Sequence, residues 1–101
     1  MILMISEVRE NLSEKIIKGV PILKLMNEEK ETVYLSKLAT FRVIIYKVKE
    51  SSREILEGYE LVLDQLSIDV AIGEVISCLL SMGVICSVDE ISEVIGHAIL
   101  S

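Results

Sequence analysis

The sequence predicts an all-α fold: a small bundle of four to five helices in one domain over residues 1–101, paired as a dimer. The alternative is α+β, with a short β-hairpin near residues 22–35. Three observations predict the bundle. A run of apolar residues at helical spacing crosses the middle of the chain, helix stop and start signals recur at Gly19, Ser51, Ser67, Gly83 and Ser87, and 51% of the residues are apolar with only 4% aromatic and no Trp. The core is therefore aliphatic. A chain of 101 residues builds one core and buries a smaller share of its surface than a large one. The leftover apolar surface predicts a partner, most simply a second copy related by a two-fold axis.

Residues 2 to 18 place Ile5, Val8, Leu12 and Ile16 on one helical face, and Glu14 with Lys18 forms an i,i+4 pair. Gly19 supplies a left-handed stop and Pro21 blocks continuation, so the first helix ends at Lys18. "VPILKLM" then reads as an extended piece. It can pair with "TVYL" across "NEEKE", but no Gly, Pro or Asn-Gly marks that turn, and "NEEKE" reads better as a helix start capped by Asn27, with Glu28 and Glu29 at the dipole's positive end.

From there Tyr34, Leu38, Phe41, Ile45, Val48, Ser52, Ile55, Tyr59, Val62 and Leu66 follow in steps of four and three, the spacing of a helix–helix seam. A strand competes over "TFRVIIYKV", which is rich in β-branched and aromatic residues. One face of that strand would mix Phe41, Val43 and Ile45 with Lys47 and Lys49, so the period favours helix. An unbroken helix from 28 to 66 would be roughly 60 Å long, and "SSRE", with Ser51 and Glu54 at capping-box spacing, predicts the break. Ile45, Val48, Ile55, Tyr59 and Val62 are the seam residues expected at the interface between copies.

Ser67 caps the next helix, whose apolar face is Ile68, Ile72, Val75, Leu79 and Met82. Gly73, Ser77 and Ser81 form a strip of small residues where a neighbouring helix can come close, and they complete the expected interface. Gly83 ends this helix, and Ser87 with Glu90 opens the last one by a capping box. "LLSMGVICSVDEISEVIG" is similar to the first two helices of winged-helix DNA-binding domains, through Leu79, Leu80, Gly83, Ser87, Glu90, Ile91 and Gly96. The resemblance covers about 20 residues and implies a DNA reader, yet only "HAILS" stands where that family places its recognition helix and wing. No site residue carries over.

Catalytic material is sparse. The five glycines are isolated, so no phosphate-cradling loop is present, and His97 is the one histidine. Asp89, Glu93 and His97 share a helix face, but the Glu-x-x-His pairs of di-iron bundles are absent and no metal site is expected. Cys78 and Cys86 lack zinc or redox spacing and read as buried thiols, with a disulfide as the alternative. Neither a cofactor nor an enzymatic activity is expected.

The longest uncharged stretch, Val75 to Val88, has 14 residues against the roughly 20 that span a bilayer. "MILMIS" lacks the basic start of a signal peptide, so a cytoplasmic protein without membrane contact is expected. One Gln, two Asn and abundant Ile, Glu and Lys give a thermophile-like composition.

Charge is unevenly placed within the total of −6. All ten Lys and Arg lie between Arg9 and Arg53, whereas residues 67–101 carry five acids and no Lys or Arg. Read as helix, Arg42, Tyr46, Lys49 and Arg53 share a face, a cationic stripe with one aromatic that could follow phosphates while Tyr46 stacks on a base. The leading expectation is a non-enzymatic interaction or regulatory protein that acts through helical oligomerisation, binding itself and a larger protein partner. The alternative is a nucleic-acid-binding regulator that uses the stripe at 42–53.

Overall fold

The strands that competed with the central helix are what the chain adopts. The computed structural model describes residues 4–7, 12–85 and 87–100. Its elements run β1 (Met4–Glu7), α1 (Leu12–Lys18), β2 (Val20–Met26), β3 (Thr32–Ala39), β4 (Arg42–Lys49), β5 (Glu54–Val62), α2 (Ile68–Ser81) and α3 (Val88–Leu100). The fold is α+β: one five-stranded antiparallel sheet in the order β1-β5-β4-β3-β2, with α1 on one face and α2 and α3 on the other. This overturns the all-helical bundle. The hairpin near 22–35 is present as β2 and β3.

The reason lies in β4. Val43 and Ile45 face α2 and α3, while Ile44 and Tyr46 face α1, and all four are buried. A central strand covered on both faces shows a continuous apolar run instead of alternation, which leaves the period-of-two signal empty. The two lysines that argued against a strand are accommodated differently. Lys47 reaches Glu57 at 2.9 Å and Glu31 at 3.5 Å, and Lys49 lies exposed at the strand end.

The turns also form without the usual residues. Asn27 does not cap a helix; its Oδ1 accepts from the backbone N–H groups of Glu29 and Glu31, and Lys30 takes a left-handed φ of 60°. Phe41 and Arg53 take left-handed φ of 56° in the next two turns. "SSRE" likewise becomes a hairpin turn, in which the Ser52 and Arg53 N–H groups donate to Lys49 O. The seam from Tyr34 to Leu66 is thus spread over three strands, whose side chains flip face at every residue.

Helix α1 begins only at Leu12 because Met4–Glu7 pairs with β5, in register Met4↔Val62 to Glu7↔Tyr59. Its end at Lys18 is as expected, though Gly19 is required for a different reason. A Cβ there would stand 2.9 Å from the Ser36 Cβ, so glycine lets the chain pass close to β3.

The C-terminal helices follow the sequence signals. Ser67 Oγ accepts from Val70 N, and Gly83, with φ 84°, closes α2 while Val84 N donates to Leu79 O. Their apolar faces, including Val75, Leu79, Ile91, Ile95 and Ile99, pack on Val33, Leu35, Val43, Ile45, Leu61 and Leu63. Lys37 Nζ donates to Ala98 O at 2.8 Å and ties β3 to the carbonyl end of α3. Among the described residues no helix is long and apolar enough to cross a membrane.

Candidate binding groove on the α1 face

Strand register lines up one row of side chains across the α1 face. Lys24 on β2 stands opposite Tyr34 on β3, Tyr34 opposite Tyr46 on β4, and Tyr46 opposite Gly58 on β5. Tyr34 and Tyr46 stack with ring centroids 5.1 Å apart and planes 18° from parallel. The Lys24 ammonium lies over the Tyr34 ring, 5.8 Å from its centroid. A contact of this kind at an exposed site contributes about 0.5–1 kcal/mol, less than the about 1–3 kcal/mol of a base stacked on an aromatic side chain. A planar ligand therefore has the stronger claim on that ring face.

The row borders a groove of about 430 Å³. Its apolar walls are Val48, Ile55 and, from α1, Ile16, which packs against the buried pair Ile44 and Tyr46. Helix α1 is held beside it by Lys15, whose ammonium lies 2.7 Å from a Glu60 carboxylate oxygen. Lys24, Arg53 and Glu50 supply the charge around the groove. A hydrogen bond from Thr32, followed by the charges of Lys24 and Arg53, holds the Glu50 carboxyl below its ordinary range. Burial pushes the Tyr46 hydroxyl up, so it is protonated at neutral pH.

The sheet divides the charge of the molecule. Asp69, Glu74, Asp89, Glu90 and Glu93 all lie on α2 and α3, where no Lys or Arg accompanies them. Among the described residues the α1 face carries Lys15, Lys18, Lys24, Arg42 and Arg53 against Glu14, Glu50 and Glu60. Net acidity thus belongs to the helical side and does not describe the groove.

The four residues expected as one basic stripe are separated by strand geometry. Tyr46 and Arg53 both line the groove. Arg42 is exposed at the start of β4 with the parity of Tyr46, about 13 Å along the strand, and Lys49 has the opposite parity. Lys24, Tyr34, Glu50 and Ile16 complete the site and did not figure in the stripe. Simple hairpin pairing would not have found them, because a turn at Thr40–Phe41 alone sets Tyr34 opposite Lys47, and the irregularity between Lys37 and Ala39 is what brings it opposite Tyr46.

The residues expected at an interface are also dispersed. Ile45 is wholly buried in the core; Val48 and Ile55 line the groove; Tyr59 and Val62 are half-buried on β5. Gly73, Ser77 and Ser81 are exposed on α2, and a Cβ added to Gly73 would meet nothing within 4 Å. Asp89, Glu93 and His97 are exposed on α3, and among the described residues no three His, Cys, Asp or Glu side chains gather as a metal-binding group. Cys78 is a buried free thiol, whereas Cys86 lies outside the described residues. The winged-helix resemblance ends in packing, since the inner sides of α2 and α3 are spent on the sheet.

Comparison of the chain with family models, with curated proteins and with solved structures returned no significant match.

Proposed function

We propose that this chain is a non-catalytic regulatory domain that binds nucleic acid on the α1 face of its sheet. The observation that carries the reading is the in-register row of Lys24, Tyr34 and Tyr46, set beside Arg53 on the face opposite the acidic helices. Stacked aromatics flanked by cations suit a ligand that has flat bases and a charged backbone. Cytoplasmic placement belongs to the same reading and is supported by the free thiol of Cys78.

The test is fluorescence anisotropy with a labelled single-stranded oligonucleotide of about 12 nucleotides. Two phosphate contacts, by Lys24 and Arg53, predict binding that weakens about sevenfold between about 50 and 200 mM salt. Absence of binding at the lower salt overturns the reading.

A second reading, in which the domain binds a second copy or a larger protein, is favoured by the corner between α2 and α3. Leu80, Ile85 and Val88 are 53%, 77% and 53% exposed there within nine residues of chain. Light scattering at micromolar concentration distinguishes it, because a monomer removes self-association from consideration.

A further inference from the structure

Resting on the nucleic-acid reading above, we propose that the groove takes one unstacked nucleotide of a single strand. The base lies on the Tyr34 face now covered by Lys24, and the phosphate lies between Lys24 and Arg53 in place of Glu50.

Tyr34 has two ring faces, and only one is committed. Tyr46 holds the first at 5.1 Å across the strands, whereas the second is covered by the end of a flexible, exposed lysine side chain. Lysine can swing aside without disturbing the sheet, since its backbone stays paired in β2. The ammonium that leaves the ring then becomes a phosphate partner. A base within a duplex has both faces occupied by its neighbours and cannot enter such a position, so the geometry selects single strands. The groove volume of about 430 Å³ is of the size that holds one small ligand.

Glu50 gives the site its distinctive chemistry. It lines the same groove as Lys24 and Arg53 and, among the described residues, is the only carboxylate that does so. Its charge is attracted to those of Lys24 and Arg53, and a phosphate that enters the groove must compete with it for them. Glu50 thus acts as a built-in competitor, and its removal strengthens binding of an anion. A neutral or cationic ligand in the same groove would respond in the opposite direction or not at all.

The experiment compares wild type, Glu50→Gln, Arg53→Gln and Tyr34→Leu by anisotropy. The probes are the same labelled strand alone and annealed to its complement, with circular dichroism to verify folding. The single strand is expected to bind at least about tenfold more tightly than the duplex. Glu50→Gln is expected to tighten single-strand binding about threefold at about 50 mM salt, and Arg53→Gln to weaken it and flatten its salt dependence. Tyr34→Leu is expected to weaken binding about tenfold. Glu50 is exposed, so its variant keeps the test decisive if Tyr34→Leu does not fold. Equal binding of duplex and single strand, or unchanged or weaker binding by Glu50→Gln, overturns the inference and leaves the broader reading standing. No binding of either probe by wild type or Glu50→Gln overturns both.

Discussion

Lys47 and Glu57 face each other across β4 and β5, with the ammonium 2.9 Å from a carboxylate oxygen, and a second carboxylate, Glu31, stands 3.5 Å away. The hydrogen bond between Lys47 and Glu57 lowers the pKa of the acid and raises that of the base. Both side chains are largely covered, at 18% and 27% exposure, so solvent screens the pair only in part.

Replacing Lys47 with Met should cost about 1–2 kcal/mol of stability, since it leaves two carboxylates facing each other. Glu57→Gln should cost less. The stabilisation from Glu57 is complete above the unfolded carboxylate value of about 4.3 and disappears as pH falls through the lower folded value. That from Lys47 is complete below about 10.4 and disappears as pH rises through the higher folded value. Urea unfolding of wild type and Glu57→Gln should show a difference that is flat near neutrality and shrinks in acid. A difference that grows in acid would refute the assignment.

Asn27 joins the β2–β3 turn to the end of α2. Its Nδ2 donates to Glu31 Oε1 and Met82 O, and its Oδ1 accepts from Glu29 N and Glu31 N, all at 7% residue exposure. Asn27→Ala should destabilise by about 2 kcal/mol, because buried partners lose their bonds. Asn27→Asp keeps the acceptor but sets a carboxylate against Glu31 and a carbonyl. It should be worse than alanine at pH 7, and acid should narrow the gap.

Two glycines predict opposite signs. Gly73→Ala, on the open side of α2, should stabilise by about 0.5–1 kcal/mol through helix propensity. Gly19→Ala should destabilise by more than about 1 kcal/mol, since its Cβ would press on the Ser36 Cβ and the Lys15 carbonyl. Thermal melts of the two variants give the signs directly. A destabilising Gly73→Ala with loss of oligomer would instead assign the small-residue strip to an interface.

Burial, with a smaller contribution from Glu57, pushes the Cys78 thiol up to about 11. In a Cys86→Ser background, a thiol reagent at pH 8 should therefore label native protein slowly and unfolded protein fast. Equal rates would place Cys78 at the surface.

How much of this was legible in the sequence depended on where each signal comes from. Helices α2 and α3 were readable because Ser67 and Gly83 make local, one-residue statements about the backbone. Strand β4 was not, because burial on both faces erases alternation, and "FRVIIYKV" then satisfies a helical period equally well. The hairpins were hidden by Lys30, Phe41 and Arg53, three non-glycine residues in left-handed turns where glycine or asparagine would have marked the reversal. Of the residues that line the groove, Tyr46 and Arg53 belong to the stripe expected from the sequence, and Lys24 and Tyr34 do not. Their proximity is a product of register, which exists only once the strands are paired.

The partition of charge across the sheet makes the molecule a dipole as well as an anion. Its field turns the protein as it nears another charged body, presenting the α1 face to a polyanion and the helical face to a cationic surface before any contact forms. Such orientation governs encounter rates at low salt and fades once the screening length falls to about 10 Å near 0.1 M.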